Sequence, residues 1–263
     1  MLWLGAGIPV IGAVLTAIAL QLLGLGGESE PDPASDGVGA SFTSPSAPPF
    51  VVTARQENEA GCTALPRKVS SPEDRAELVT GGDVNAVIRR HQGARVGEMI
   101  LGLTLEGGPS SLTITSIEIQ PKPPRPAGPF AGGTLLCEPN AGGEAKIQLF
   151  ADMDGPEPVF LTGKNSTQKY FKEKAITLAP GEQVNLSASF LAEKGSREFG
   201  LLIRYVRNGK DGTVPVPAPR GGRYAVTGFA DRYGAVYEGS TGGVYRRLED
   251  PRPCPWLPAS RGC

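Results

Sequence analysis

Residues 98–106 (EMILGLTLE) and 112–120 (LTITSIEIQ) decide the fold class of this chain. Both stretches are rich in branched aliphatic residues, which are typical of β-strands. In the second stretch the aliphatic residues occupy one set of alternating positions up to Ile114 and the other set from Ile117 onward. Because the phase changes near Ser116, we expect a twist or a β-bulge there.

Similar strand patterns continue on both sides of these stretches. Pro180-Gly181 suits a type II turn, because Pro presets φ at the second position and Gly accepts a positive φ at the third. Residues 208–212 predict a glycine-rich hairpin loop. About eight or nine short strands separated by turn signals are typical of a sandwich. We therefore expect a mainly β fold, an antiparallel Ig-like β-sandwich over residues 50–248, with further strands near 49–54, 133–137, 145–153, 175–178, 184–192, 199–207 and 223–229.

Two short helices are expected before residue 98. Ser71 is a typical N-cap residue, and it is followed by Pro72 and two acids, which predicts a helix that ends near Thr80. Asp83 is the expected N-cap of a second helix, and Gly93 is its expected stop.

Residues 2–25 (LWLGAGIPVIGAVLTAIALQLLGL) form an uncharged stretch of 24 residues. As a helix it would reach roughly 36 Å, enough to cross a hydrocarbon core of about 30 Å. No Lys or Arg precedes the stretch and no cysteine follows it closely, which disfavours a cleaved signal peptide and a lipoprotein. We therefore expect a transmembrane signal anchor over residues 1–25, held in the lipid bilayer through residues 2–25. Residues 26–49, with four acids and five prolines, predict a disordered linker.

The chain has four cysteines, Cys62, Cys137, Cys254 and Cys263. An even number behind an expected anchor indicates two disulfides in an oxidising compartment, and the alternative is four reduced thiols in a cytosolic protein. Closing the short loop within the Pro-rich tail, residues 249–263, costs little chain entropy. We therefore expect the pairs Cys62–Cys137 and Cys254–Cys263, with Cys62 in a loop after the first strand.

Residues 176–186 (ITLAPGEQVNL) resemble the strand, Pro-Gly turn and strand of many bacterial secreted Ig-like sandwiches. A longer pattern runs through Pro49-Phe50, Cys62, Cys137, Asp152-Met153-Asp154, Pro158, residues 224–228 (YAVTG) and Tyr237. This pattern resembles a group of actinobacterial (Streptomyces-type) single-pass membrane proteins with an extracytoplasmic β domain, some with a cytoplasmic helix-turn-helix domain ahead of the anchor. The resemblance implies a cell-surface location and a sandwich fold, and it implies no activity.

The sequence offers little catalytic chemistry. Its one histidine, His91, lies beside Arg89 and Arg90 and belongs to no recognisable nucleophile or metal-ligand motif. Acidic residues in the segment 152–157 follow a strand pattern and not a helix, unlike those of an EF-hand. We therefore expect no catalytic residue, no cofactor and no metal.

Tyrosine and arginine are dense in the last quarter of the sequence. Both residue types are enriched at binding hot spots, and both are also ordinary strand residues. The candidate binding surface comprises Tyr224, Arg232, Tyr233, Tyr237, Tyr245 and Arg246.

These patterns favour a single-pass cell-membrane protein that presents a disulfide-stabilised extracytoplasmic β-sandwich for binding or sensing, and not an enzyme. The expected partners are the lipid bilayer and an unknown protein or cell-wall component. A net charge of −1 gives no reason to expect nucleic-acid binding. Two alternatives stay open: an exported cell-wall hydrolase with a carboxylate site, and the extracytoplasmic part of a transmembrane regulator.

Overall fold

The computed structural model describes residues 48–57, 61–123, 128–138, 147–219, 222–240 and 243–249. The chain divides into two units, Met1–Ser46 and Ala47–Cys263, and all described residues lie in the second unit. They form three helices, α1 (Pro72–Thr80), α2 (Val84–Arg90) and α3 (Tyr170–Glu173). Their fourteen strands are β1 (Phe50–Gln56), β2 (Gly61–Leu65), β3 (Ala94–Val96), β4 (Glu98–Gly107), β5 (Leu112–Pro121), β6 (Thr134–Glu138), β7 (Ile147–Asp152), β8 (Ile176–Leu178), β9 (Gln183–Leu191), β10 (Ser196–Arg207), β11 (Lys210–Val216), β12 (Tyr224–Thr227), β13 (Ala235–Gly239) and β14 (Tyr245–Arg247).

The strands form two sheets. The smaller has four strands in the order β1-β4-β9-β7. The larger has ten strands in the order β14-β13-β6-β2-β3-β12-β10-β5-β8, with β11 also paired to β10. The fold is therefore mainly β with two sheets, as the strand patterns predicted.

The main core lies between the four-stranded sheet and the part of the larger sheet that contains β12, β10, β5 and β8. Phe190 of β9 packs against Phe199 of β10 with ring centroids 4.6 Å apart, and Phe199 stacks on Tyr224 of β12. Burying each of these rings stabilises the fold by about 2 to 3 kcal/mol. The two sheets are thus joined by a continuous apolar layer.

The predicted change of phase near Ser116 is confirmed. Ser116 pairs with Arg204, but the next residue of β10, Tyr205, pairs with Ile114, so Thr115 is the extra residue of a β-bulge. Because the bulge reverses the alternation, the aliphatic residues before and after it face the same core.

Three strand pairs correct the prediction of a wholly antiparallel sandwich. The pairs β7–β9, β12–β3 and β13–β6 are parallel. Their strands are far apart in sequence, and a parallel pair needs a long crossover, which a pattern of short strands and tight turns does not reveal. The turn at Asn208 and Gly209, which both take a positive φ, joins the antiparallel pair β10–β11. The turn at Pro180-Gly181, with Gly181 at φ 70°, instead carries the chain from β8 of the larger sheet to β9 of the smaller sheet. The second hairpin loop is shorter than predicted, because residues 210–212 already belong to β11.

Gly97 carries the chain from one sheet to the other, since β3 belongs to the larger sheet and β4 to the smaller. Its φ is 77°, a left-handed conformation that favours glycine. Its N–H donates to the Thr227 carbonyl at 2.8 Å, and its carbonyl accepts from the Ala192 N–H at 2.9 Å. The corner is therefore tied to strands of both sheets.

The helices α1 and α2 pack on the other half of the larger sheet. Leu78 of α1 and Val87 of α2 lie in one apolar cluster with Leu65 of β2, Leu136 of β6 and Tyr237 of β13. This small second core explains how two short helices with few apolar residues are held in place.

The helices and the four-stranded sheet lie on the same face of the larger sheet. Leu136, Thr63, Arg95 and Val226 are directly opposite one another across β6, β2, β3 and β12, so their side chains point the same way. Leu136 packs with the helices, whereas Val226 packs in the core with the four-stranded sheet. Thr63 and Arg95 therefore lie at the seam between the helices and the four-stranded sheet.

The helix starts are confirmed, and the stop of α2 is corrected. The side chains of Ser71 and Asp83 accept hydrogen bonds from the first turns of α1 and α2. Gln92, with φ 53°, takes the left-handed position after α2 that was expected of Gly93. Gly93 is instead required for close packing, because a Cβ there would lie 2.8 Å from the Ile88 side chain.

Cys62 and Cys137 form a disulfide, which confirms the predicted pair. Cys62 lies in β2 directly opposite Cys137 in β6, and not in a loop as predicted. Both side chains are buried on the face opposite to the helices, with Val96 and Leu135. The Cys254–Cys263 pair lies outside the described residues.

Within the part of the chain that the structure describes, no helix combines the length and apolarity needed to cross a membrane. The expected anchor (1–25), nearly all of the expected linker (26–49) and the tail from residue 250 lie outside the described residues.

Candidate functional site

A cavity of about 780 Å³ opens at the seam between the helices and the four-stranded sheet. It is floored by β2, β3, β6 and β12 of the larger sheet and walled by α2 on one side and by β1 and β4 on the other. The corner at Gly97 explains its position, because the two sheets separate from that point. Its volume is within the usual range of small-molecule sites, about 300 to 1,000 Å³.

Arg95 is the central polar residue of the cavity floor. It is only 7% exposed, and its Nη1 donates to the Thr63 hydroxyl at 3.3 Å. Burial lowers the pKa of the Arg95 guanidinium to about 10, an effect that the nearby Glu138 and Tyr245 partly offset. The side chain therefore stays charged at neutral pH. Gly61 makes room for it, since a Cβ there would lie 2.9 Å from Arg95 Nη2.

Glu138 and Tyr245 form the neighbouring part of the floor. The Tyr245 hydroxyl donates to Oε1 of Glu138 across Gly239, whose missing side chain leaves space for the ring. Burial raises the pKa of Tyr245 well above its ordinary value, and the hydrogen bond to Glu138 adds to this rise. The phenol is therefore neutral and acts as a hydrogen-bond donor.

Arg223 borders the opposite side of the cavity. Its Nη1 donates to Oε2 of Glu198 at 2.5 Å, and its Nη2 donates to the Gln92 carbonyl. Its Nε is buried and has no hydrogen-bond partner among the described residues. Two of the three nitrogens of this guanidinium are thus engaged, and the third is shielded from solvent.

The rest of the lining mixes apolar and polar side chains. Met99 and Leu101 of β4 face the cavity from the four-stranded sheet, and Ile88 faces it from α2. Tyr224 also lines it, and burial raises the pKa of its phenol well above the ordinary value. The cavity therefore combines a charged floor with walls that carry both apolar and polar side chains.

The four tyrosines of the candidate binding surface are not at the surface. Tyr224, Tyr233, Tyr237 and Tyr245 are each at most 3% exposed, because their rings fill the apolar clusters between and behind the sheets. This corrects the interpretation of the Tyr-rich and Arg-rich region as an exposed surface. Arg232 and Arg246 are exposed, and Arg246 forms an ion pair with Glu238 at 2.9 Å.

Two of those tyrosines, Tyr224 and Tyr245, instead line the cavity. Sequence reasoning did not find Arg95, Thr63 or Glu138. The sequence offered a signal only for Arg95, which lies between two apolar residues in the short β3. An arginine in such a position is typical of a buried charge with a specific role.

The acidic segment 152–157 stabilises a neighbouring turn. The Asp154 carboxylate accepts hydrogen bonds from the backbone N–H groups of Glu193, Lys194 and Gly195 at 2.7, 3.1 and 3.0 Å. It therefore holds a turn between β9 and β10. No group of three or more potential metal ligands occurs among the described residues.

His91 does not line the cavity. Its Nε2 lies 2.7 Å from Oδ2 of Asp74, and Arg90 also contacts that carboxylate. This cluster links α1 to the end of α2, so His91 has a structural contact.

Comparisons of the chain with protein-family models, with curated proteins and with solved structures find no match.

Proposed function

We propose that this chain is a single-pass membrane protein whose β domain lies outside the cell membrane and binds a ligand for sensing or capture. The observation that carries the proposal is the Cys62–Cys137 disulfide, which is buried and joins neighbouring strands. Disulfides of this structural kind persist in oxidising compartments. Residues 2–25, which carry no charge, would form the membrane anchor. We propose in addition that the two-sheet domain is an Ig-like sandwich.

The cavity supports binding as the activity. Among the described residues its lining contains one carboxylate, that of Glu138, whereas a typical glycoside hydrolase uses two carboxylates that flank the scissile bond. The hydrolase alternative would thus need a second site. We therefore favour a binding domain over an enzyme.

The location is tested with the full chain expressed in its membrane. Protease added to intact protoplasts should remove the domain, and thiol labelling before and after reduction should show that Cys62 and Cys137 are oxidised. Full protection of the domain, or free thiols at both positions, would contradict the proposal. A cytoplasmic protein of the same host, probed in the same samples, controls for lysis.

A further inference from the structure

One edge of β1 is unpaired. Among the described residues β1 has a single strand neighbour, β4. The N–H of Glu57, directly after β1, donates to the Ile100 carbonyl at 2.9 Å, so the odd-numbered residues of the strand bond to β4. The backbone groups of Phe50, Val52 and Ala54 therefore point the other way, and they have no hydrogen-bond partner among the described residues. These three residues define the free edge of β1.

The other edge strands in the described part of the chain are protected. β7 is covered by Leu161, whose N–H and carbonyl bond to Phe150 at 2.7 and 3.2 Å. β8 and β14 have only three residues each, and β11 contains Pro215, which lacks an N–H. In contrast, β1 has seven residues with no proline or glycine, and it pairs with β4 without a bulge. An edge of this kind accepts a further strand.

The free edge of β1 borders the cavity. Ala54 and Gln56 contribute to the cavity lining, and Val84, Asn85 and Ile88 of α2 contribute from the far side. The edge is therefore recessed between β1 and α2. A second copy of this domain would meet α2 before its own strand reached the edge, whereas a single extended chain needs only one strand spacing, about 4.8 Å.

The surroundings also select the side chains of an added strand, which alternate between its two faces. Those on the inner face would lie beside Val52, Ala54 and, on the neighbouring β11, Val214, which are apolar and only half-buried at this margin of the main core. Nearer to α2 they would lie above the cavity floor, where the charges of Arg95 and Glu138 balance. Both places favour uncharged side chains, because a third charge there would lack a partner.

We propose that the free edge of β1 binds an extended peptide segment of a partner protein, which joins the four-stranded sheet as a fifth strand beside the cavity. An extended polypeptide presents N–H and carbonyl groups at every second residue, about 6.7 Å apart, which matches the free groups of β1. The inner face of the segment carries uncharged residues. This inference rests on the proposed function, because it names the partner class of the same binding domain.

The test is fluorescence anisotropy of a labelled peptide, acetyl-KTVSVTVSK-amide, titrated with the full chain in phosphatidylcholine nanodiscs. Acetyl-KTTVVVSSK-amide has the same composition without the alternation, and empty nanodiscs correct for binding to lipid. We expect saturable binding of one alternating peptide per chain, with the control peptide about ten-fold weaker. Equal binding of the two peptides, or no binding of the alternating one, would overturn the inference.

Two N-methylated forms of the alternating peptide test the backbone pairing. One form is methylated at the amide of each valine, and the other at the amide of the residue that follows each valine. Only one of these sets of N–H groups can face β1, so one form should lose binding by about ten-fold or more and the other should bind like the parent peptide. The same affinity for both forms would show that the peptide does not add as a strand.

Substitutions locate the binding on β1. Ala54→Pro removes an outward N–H and places the proline ring on the free edge, while the bonds from β1 to β4 stay in place. It should weaken peptide binding by about ten-fold or more. Thr53→Ala changes an exposed side chain on the outer face of the same strand and should leave binding unchanged. Equal binding to both variants would place the peptide elsewhere and overturn the inference.

A thermal unfolding curve for each variant separates loss of binding from loss of the fold, and the N-methylated peptides decide the matter if Ala54→Pro does not fold. Sedimentation in detergent micelles tests a second copy as the occupant, because a dimer that Ala54→Pro dissociates would contradict the peptide assignment. The protoplast experiment is independent of these titrations. An external domain that binds no peptide would overturn this inference alone, and a protease-protected domain would overturn the proposed function.

Discussion

Nε2 of His91, at the end of α2, lies 2.7 Å from Oδ2 of Asp74, in the first turn of α1. Arg90 Nη2 lies 2.5 Å from the other oxygen of the same carboxylate. Asp74 is buried although its partners are partly exposed. One carboxylate thus connects α1 to α2, the helix that walls the cavity on the side away from the four-stranded sheet.

The Asp74 contacts should make the helical region sensitive to acid. Hydrogen bonds from His91 and Arg90 hold the pKa of Asp74 below its ordinary value. A carboxyl group with a lowered pKa stabilises the fold above its unfolded pKa of about 3.9, and this contribution is lost as pH falls through the lower folded value. Asp74→Asn should therefore cost about 2 kcal/mol at pH 7, and the difference from the parent chain should shrink below about pH 4.

Urea unfolding of the full chain between pH 7 and pH 2.5 measures this difference. Glu73→Gln is the matched control, since it alters an exposed acid in the same helical turn. A loss of stability from Asp74→Asn that is the same at pH 2.5 as at pH 7 would show that the carboxylate charge is not the cause.

The Cys62–Cys137 disulfide should contribute more stability than the expected Cys254–Cys263 pair. The two residues are separated by 75 positions, and on the chain-entropy model a loop of this size stabilises by about 4 kcal/mol, against about 3 kcal/mol for a short loop. Replacing both Cys62 and Cys137 by Ala should lower Tm by about ten degrees. Calorimetry of this variant and of the Cys254→Ala/Cys263→Ala variant gives the comparison.

Peptide mapping without reduction tests the pairing directly. A peptide that joins Cys62 to Cys254 or Cys263 would contradict both predicted pairs. An equal or larger fall in Tm for the tail variant would contradict the ranking of the two disulfides.

Gly97 should resist substitution because it turns the chain between the two sheets. Alanine in its left-handed conformation costs roughly 1 to 2 kcal/mol, and the added Cβ would also lie 3.4 Å from the Phe229 ring. Gly97→Ala should therefore lower the free energy of unfolding by that amount in a denaturant titration. Gly128→Ala, where a Cβ meets nothing within 4 Å, is the control and should change it little. Equal effects of the two variants would argue against strain at the corner.

Tyr245→Phe should destabilise the chain more than Tyr224→Phe. The Tyr245 hydroxyl donates to the Glu138 carboxylate, whereas the Tyr224 hydroxyl donates to the neutral Pro217 carbonyl at 2.8 Å. Hydrogen bonds to charged groups contribute about 1.5 to 3 kcal/mol, and those between neutral groups about 1 kcal/mol. Denaturant midpoints of the two variants, which lose the same atom from buried rings, measure the difference. A larger loss for Tyr224→Phe would mean that water satisfies Glu138 without Tyr245.

The sequence by itself determined the features that depend on neighbouring residues. Ser71 and Asp83 predicted the helix starts, Pro180-Gly181 predicted a tight turn, and the change of phase at Ser116 predicted the bulge. Each of these follows from local backbone geometry, because capping, turn formation and strand alternation involve residues within a few positions of one another. The Cys62–Cys137 pair followed from the small number of possible pairings.

Only the tertiary structure decided where the strands β2, β3, β13 and β14 lie and what the cavity contains. These strands are three to five residues long, too short for an alternating pattern to be distinctive. Arg95 and Glu138 are 43 positions apart, and they share a face only because β2 pairs with both β3 and β6. Long-range pairing of this kind depends on the packing of the whole domain, so the charged floor of the cavity could not be identified before the sheets were assembled.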